Sequence, residues 1–187
     1  AITLSFVEAT SGSGSVISTS TQVASNTMRL VASKPTVSVG SGNTDTLVLG
    51  AENKIGEFTV TADANGRIAV GSTSLSVSSV GISNIQVSSP RVADGNTTIT
   101  GQTVNGSSTL GILIQPPYEI AAGTSKTFSV FAVVAGAVTS GFSGTPYVTT
   151  SIASSTSFVW YDTLGGNTVQ TGASIYNFPT NSFTTKR

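Results

Sequence analysis

Residues 128–134 read FSVFAVV, and this stretch decides the fold class. Its even-numbered positions are all apolar and recur with the period of two that places alternate side chains on one face of a β-strand. The odd-numbered positions also include Phe131 and Val133, so the opposite face is apolar as well. We therefore predict a strand buried on both sides, or a central strand with a covered outer face.

The same alternation recurs along the rest of the chain. Val, Ile, Thr and Ser dominate these runs, whereas the strong helix formers Leu, Glu, Lys, Arg and Met are scarce. Each run predicts a strand with one buried face. The apolar members are Ile2, Leu4 and Phe6; Phe58, Val60 and Ala62; Leu75 and Val77; and Leu110, Ile112 and Ile114.

Turn-forming residues separate these runs at intervals of about 8–12 residues, which is typical of a β-sandwich. Asn65-Gly66 predicts a type I′ hairpin turn, and Asp94-Gly95-Asn96 predicts another reversal. Pro116-Pro117 predicts a loop. The fold class expected is all-β, an antiparallel Greek-key sandwich of the immunoglobulin-like kind with about eight to ten strands.

The composition excludes much chemistry. The 187 residues contain no His and no Cys, so the common histidine- and cysteine-based catalytic and metal sites cannot form. Eight basic residues balance eight acidic ones, and without a basic run we expect no nucleic-acid partner. No apolar run reaches the roughly 18–20 residues that span a bilayer, so we expect no membrane insertion. We predict a protein that is not an enzyme and uses no cofactor or metal.

Small hydroxyl side chains are abundant: 30 Ser and 29 Thr make up nearly a third of the chain. Charged residues account for only 9%, against about 25% in ordinary soluble domains. This composition is typical of exported surface proteins, and we expect an extracellular location. The chain begins on Ala1 with a strand-like pattern, and we expect a mature terminus.

Residues 1–34 differ from the rest and predict an N-terminal extension, followed by a sandwich domain over residues 35–187. The apolar strand of Ile2, Leu4 and Phe6 precedes a Ser/Gly-rich stretch whose composition predicts a hinge. Such a strand has two interpretations. It completes an edge of its own sandwich, or it docks on a neighbouring subunit as a donor strand.

Six short segments of the chain occur in a characteristic order: TDTLVLG (44–50), KIGEFTVTA (54–62), ISNIQV (82–87), IAAGTSKTFSV (120–130), FVWYD (158–162) and YNFP (176–179). In this order they resemble the immunoglobulin-like modules of bacterial surface and filament proteins, of the type found in the candidate phyla (Patescibacteria). The resemblance covers roughly residues 35–180. It implies a β-sandwich from a surface-layer, adhesin or filament protein, and it implies no catalytic residues.

Aromatic and asparagine side chains provide the candidate glycan sites. Tyr118, Trp160 and Tyr161 are candidates for a sugar-binding platform, although aromatic residues also serve as core and interface anchors. Asn96 and Asn105 each begin an N-glycosylation sequon.

Acidic and lysine side chains give weaker signals. Glu52 and Glu57 are the acids with a chance of approaching each other after folding, but a catalytic pair is not expected. Lys34, Lys54 and Lys126 are candidates for an isopeptide crosslink, which requires a desolvated, nucleophilic lysine. Solvated surface lysines are the ordinary alternative.

These observations lead to one preferred function. We expect a structural subunit of an extracellular filament or surface layer, which self-associates into a homopolymer by strand docking or exchange. The alternatives are a cell-surface adhesin or carbohydrate-binding module, with surface glycans as partners, and a viral capsid or fibre component.

Overall fold

The structure is a computed structural model of the chain. It describes the backbone of residues 3–4, 7–10, 16–19, 23–24, 31–42, 45–99, 102–104, 108–164 and 167–187, and the side chains of 31–42, 45–99, 108–164 and 167–187. These residues form strands and two 3-10 helices, with no α-helix among them. Their contacts divide the chain into two compact units, Ala1–Val31 and Ala32–Arg187.

The first unit contains four short strands, β1 (Thr3–Leu4), β2 (Val7–Thr10), β3 (Val16–Thr19) and β4 (Val23–Ala24). β1 pairs with β4 and β2 pairs with β3, both antiparallel, so the inner pair is nested within the outer pair. The strand predicted around Leu4 therefore has a partner within its own unit. Ile2, Phe6 and the Ser/Gly-rich residues 11–15 lie outside the described residues.

The second unit consists of two antiparallel sheets that pack against each other, which confirms the predicted all-β sandwich. Greek-key connectivity stays a prediction. The described residues of this unit contain twelve strands: β5 (Thr36–Val39), β6 (Glu52–Thr61), β7 (Ile68–Val80), β8 (Ile82–Asp94), β9 (Thr97–Thr98), β10 (Gln102–Val104), β11 (Thr109–Ile120), β12 (Ser125–Val138), β13 (Tyr147–Ile152), β14 (Val159–Asp162), β15 (Thr168–Thr171) and β16 (Phe183–Lys186).

The larger sheet is organised around β7. β11 pairs with one edge of β7, while β13 and β14 pair one after the other with its opposite edge. β16 and β15 then pair with β13 and β14. The 3-10 helix Ser155–Ser157 separates β13 from β14, and the 3-10 helix Gly172–Ser174 separates β15 from β16. At two places in the sheet, two short strands therefore stand where one long strand could have run. These interruptions raise the strand number above the predicted eight to ten.

The smaller sheet has the order β5-β6-β12-β8-β9. β12, which contains the FSVFAVV stretch, lies at its centre between β6 and β8. The predicted reversal at Gly95 is confirmed, because Asp94 pairs with Thr97 across a two-residue connection. Asn84 and Ser89, both with positive φ, accompany two register shifts of β8 against β12, so β8 is a doubly bulged strand.

The core lies between the two sheets and is lined by the faces that alternation predicts. Phe58 and Phe128 face each other across β6 and β12, with ring centroids 5.1 Å apart. Phe58 also meets Phe158, the residue before β14, edge-on at 6.4 Å. Burial of one such side chain stabilises the fold by roughly 1.5–3 kcal/mol. The remaining predicted core residues are also buried: Val60, Ala62, Leu75, Val77, Leu110, Ile112, Ile114, Val130, Ala132 and Val134.

At one corner the two sheets are joined by threonine hydroxyls. Thr150 on β13 donates a hydrogen bond to the carbonyl of Ile55 on β6, and Thr185 on β16 donates to the carbonyl of Lys54 at 2.8 Å. Gly56 lies beside them, where a Cβ would come 3.3 Å from both Thr150 and Val130. These bonds give carbonyls of β6 a hydrogen-bond donor from the opposite sheet.

The prediction of a type I′ hairpin at Asn65-Gly66 is wrong. β6 and β7 lie in different sheets, so residues 62–67 cross between sheets. Asp63 holds a different turn, because its carbonyl accepts from Gly66 N and its Oδ1 accepts from Asn65 N. Neither Asn65 nor Gly66 has the positive φ that a type I′ turn needs.

The prediction of a loop at Pro116-Pro117 is also wrong. Both prolines lie within β11, where the register with β7 shifts between Leu113 and Tyr118. A proline cannot donate to a sheet ladder, and a bulge removes that requirement. The bulge therefore lets the strand continue on both sides of the two prolines.

Candidate functional site

The candidate site lies on the outer face of the larger sheet, where β7 changes which side chains it buries. Before Gly71 the fully buried positions are the even ones, Ile68 and Val70 at 0% exposed, and Ala69 between them is 3% exposed. After it the buried positions are odd, as at Thr73 and Leu75. Gly71 is skipped in the register with β14, so it forms a bulge that reverses the alternation.

The bulge of β11 lies opposite the same glycine. Leu113 pairs with Ser72 and Tyr118 pairs with Val70, so residues 114–117 stand against Gly71 alone. Because four residues of β11 stand opposite one residue of β7, the chain bulges outward, and Pro116 and Pro117 are exposed. They form a ridge, which we call the proline ridge.

Tyr161 on β14 faces the proline ridge across Gly71. A Cβ at Gly71 would lie 2.5 Å from Cε2 of Tyr161, so the ring occupies the space that any other residue would fill. Ala69 forms the floor and is 3% exposed. The resulting trough encloses about 330 Å³ and is lined by Ala69, Pro116, Pro117, Glu119, Tyr161, Thr163 and Asn167.

A second depression lies on the other side of the proline ridge. It encloses about 380 Å³, and Tyr118, Gln115 and Ile99 contribute to its lining together with the ridge itself. The ridge and Glu119 are thus shared by two neighbouring depressions, each with one tyrosine.

Tyr118 also belongs to a polar cluster that joins the two sheets. Its hydroxyl donates to Oδ2 of Asp94 on β8, and Nζ of Lys126 on β12 approaches the same oxygen at 2.8 Å. Lys126 first, and then Tyr118, lower the pKa of the Asp94 carboxyl below its ordinary value. The hydrogen bond to Asp94 raises the pKa of both Lys126 and Tyr118.

Glu52 and Glu57 do not form a carboxylate pair, since each has a cationic partner. Arg91 makes a two-pronged bond to Glu52, with both N–O distances 2.7 Å, and its guanidinium lies 4.0 Å from the Phe131 ring centroid. The bond from Arg91 lowers the pKa of Glu52. Lys54 pairs with Glu57.

The structure places the three candidate glycan contacts in three different surroundings. Tyr118 and Tyr161 lie on opposite sides of the proline ridge. Trp160 has 0% of its surface exposed, and its Nε1 donates to the carbonyl of Thr171 at 3.2 Å. A glycan therefore has no access to Trp160 in this structure.

The other predicted site residues lie elsewhere. Asn96 is exposed in the turn between β8 and β9, whereas Asn105 lies outside the described residues. Leu4 is described by its backbone, which pairs with Val23. Lys126 is engaged with Asp94 and its pKa is raised, which is opposite to the change that a nucleophilic lysine requires.

Sequence reasoning missed the residues that shape the trough. Gly71, Pro116, Pro117 and Glu119 were not singled out as a site. A signal was present at Gly71, since the larger apolar residues Ile68 and Val70 occupy even positions before it, whereas Leu75 and Val77 occupy odd positions after it. The partner of that bulge is set by strand pairing, which a single sequence does not reveal.

Among the residues with described side chains, no group of three or more acidic side chains is placed to hold a metal ion. None of the described helices has the length and apolar character needed to cross a membrane. No protein-family model and no curated protein matches the chain.

Proposed function

We propose that this chain is a structural subunit of an extracellular filament or surface layer, which assembles by β-strand addition from its N-terminal unit. The observation that carries the proposal is that the chain forms two compact units, Ala1–Val31 and Ala32–Arg187, each held together by contacts among its own residues. A small β unit joined to a larger sandwich is suited to pairing with a neighbouring copy through main-chain hydrogen bonds.

One void between the two sheets is too small to receive an apolar plug, which favours docking along an edge. The void lined by Phe58, Leu75 and Phe183, between the sheets, has a volume of only about 10 Å³. A cavity of that size holds about one water molecule and no apolar side chain. Ile2, Leu4 and Phe6 would therefore pack on an outer surface of the neighbour.

The acceptor that we propose is the outer edge of β8. At residues 85–88, no described strand pairs with this edge, whereas β9 covers Ala93 and Asp94. The bulges at Asn84 and Ser89 twist the edge and protect it from indiscriminate pairing. Residues 85–88 remain between the bulges, and their number equals the four residues of β2.

The weak charge of the chain also supports assembly. Only 9% of residues are charged and the formal net charge is zero, so repulsion between copies is small. The cores of protein interfaces are likewise depleted in charged residues.

Deletion of residues 1–31 tests the proposal. We expect the full chain to form filaments or sheets in negative-stain electron microscopy, and the truncated chain to remain monomeric in light scattering. An unchanged thermal midpoint would show that the truncated sandwich is folded. Polymers of the same morphology from the truncated chain would contradict the proposal.

Disulfide trapping tests the acceptor edge. The chain has no cysteine, so an introduced thiol has no competitor. We expect Glu8→Cys and Gln86→Cys variants, one carrying a mass tag, to form a mixed disulfide when combined under mild oxidation. The matched control replaces Gln86→Cys by Asn65→Cys, which places the thiol on an exposed turn. Equal yields from the two mixtures would argue against docking at β8.

A further inference from the structure

We propose that the trough between Tyr161 and the proline ridge is a binding site for a neutral oligosaccharide, with Tyr161 as the stacking platform. This inference is independent of the assembly proposed above, because the trough lies on the larger sheet, whereas the proposed acceptor strand β8 belongs to the smaller sheet.

The shape of the trough fits a flat ring. The Tyr161 ring lies over Gly71, where even one additional carbon would collide with it, so the strand backbone supports the ring. Pro116 and Pro117 form the facing wall, and Ala69 adds only a methyl group to the floor. The volume of about 330 Å³ is at the low end of ligand sites, which suits a short sugar segment.

The chemistry of the lining matches a ligand with one apolar face and a polar rim. A pyranose ring presents aliphatic C–H groups on its face, and these pack against an aromatic ring or proline. Its hydroxyls lie around the edge, where Glu119 and Asn167 offer acceptors and donors. The Thr163 hydroxyl donates to the carbonyl of Arg67 at 2.9 Å, so its oxygen is oriented to accept.

The charge of the lining selects a neutral sugar. Of the described residues around the trough, Glu119 is the one that is charged at neutral pH. An acidic sugar would place its carboxylate near that of Glu119 with no lysine or arginine in the lining to compensate. A neutral polyol can instead donate hydroxyls to the carboxylate.

A peptide strand fits this place poorly. Strand addition needs an unpaired backbone edge, but the floor belongs to β7, which has β11 on one side and β14 on the other. Grooves that bind proline-rich peptides are lined by aromatic residues, whereas one aromatic side chain lines this trough and the prolines are part of its wall.

Isothermal titration of the full chain with neutral pentasaccharides tests the proposal. The probes are the β-1,4-glucose, α-1,4-glucose, β-1,4-mannose and β-1,4-N-acetylglucosamine pentamers, with oligogalacturonate as the acidic counterpart. We expect at least one neutral probe to bind and oligogalacturonate to bind at least about tenfold more weakly, a difference of about 1.4 kcal/mol.

Variants at the platform then identify the site. We expect Tyr161→Ala to weaken binding about tenfold or more, and Tyr161→Phe, which keeps the ring, to stay within about threefold of the wild type. Glu119→Gln should weaken binding several-fold. Tyr176→Ala is the matched control, because Tyr176 is 81% exposed and does not line the trough, so its loss should change nothing.

Three results would overturn the proposal: no binding of any neutral probe, unchanged binding by folded Tyr161→Ala, or equally tight binding of oligogalacturonate. A proline-rich peptide that bound more tightly than every sugar would overturn the ligand class. A monomeric chain that still binds sugar would contradict the proposed assembly alone, so the two proposals fail separately.

Discussion

Trp160 and Tyr161 are adjacent aromatic residues on β14, yet they belong to two different regions of the molecule. Trp160 faces the sandwich core, where it is fully buried and its Nε1 bonds to the Thr171 carbonyl. Tyr161 faces outward and forms one wall of the trough. The inner face of the larger sheet packs in the core and stabilises the fold, whereas the outer face forms the trough, which is open to solvent. An aromatic residue thus acquires its role from the face on which it lies.

The largest expected effect is the loss of Trp160. Trp160→Ala should lower the free energy of unfolding by about 3–5 kcal/mol, because it removes buried surface and leaves a cavity. Tyr161→Ala, one residue away on the outer face, should lower it by less than about 1 kcal/mol. Urea unfolding followed by far-ultraviolet circular dichroism measures both, since it does not depend on the tryptophan signal. Similar losses for the two variants would contradict the contrast between the faces.

The next effect concerns Thr149 and Thr150, which repeat the comparison on β13. Thr150→Val should cost about 1–3 kcal/mol, because the buried carbonyl of Ile55 would lose its hydroxyl donor. The Thr149 hydroxyl bonds to Ser78 on the exposed face, so Thr149→Val should change stability by about 0.5 kcal/mol or less. The same urea unfolding measures both. If the two variants lost the same free energy of unfolding, the hydrogen bond from Thr150 to the Ile55 carbonyl would add no more stability than the exposed bond of Thr149.

A smaller effect is expected at Gly71. In Gly71→Ala, the added methyl group would meet the Tyr161 ring and displace it, at a cost of about 1 kcal/mol, the low end for overpacking. The displaced ring should abolish sugar binding, which calorimetry would detect while circular dichroism stays unchanged. Ser72→Ala, at the next position of β7, is the control and should leave binding intact. Retained binding by Gly71→Ala would show that the ring position is unimportant.

The inner face was largely predictable from the sequence. A period of two identifies buried positions without knowledge of strand partners, and the runs at Phe58, Leu75, Leu110 and Phe128 all face the core as expected. The central position of β12 was one of the two alternatives that its two apolar faces predicted; burial on both sides was not found, because Phe131 and Val133 on its outer face are half-buried. Inner-face burial is encoded locally, because each strand must bury its own apolar residues wherever it is placed.

The outer face was not predictable in the same way. The trough depends on three separate strands, β7, β11 and β14. The bulge at Gly71 of β7 lies between the unpaired residues 114–117 of β11 and Tyr161 of β14. Pro116-Pro117 gave a loop signal because proline usually interrupts a strand, and only the pairing shows that the bulge tolerates it. Asn65-Gly66 misled for a related reason: its residue types favour a hairpin, but Asp63 fixes another turn between sheets.

The smallest effect concerns the charges at the rim of the sandwich and is visible in the pH dependence of stability. Bonds from Lys126 and Tyr118 lower the pKa of Asp94, so the folded state favours its ionised form. The resulting stabilisation is present above the unfolded pKa, near 3.8, and is lost as the pH falls through the lower pKa of the folded state.

In Asp94→Asn, the free energy of unfolding should therefore decrease less steeply as the pH falls. The slope should correspond to fewer protons taken up on unfolding than in the wild type, by less than about one proton per molecule. Glu52→Gln should act in the same direction, because Arg91 lowers the pKa of Glu52 as well. Urea unfolding between pH 5 and 2 measures how the free energy of unfolding depends on pH. If a variant with both Asp94→Asn and Glu52→Gln lost stability as steeply as the wild type, other groups would account for the sensitivity to acid. Because both pairs are partly exposed, either change should matter less than the loss of one buried aromatic ring.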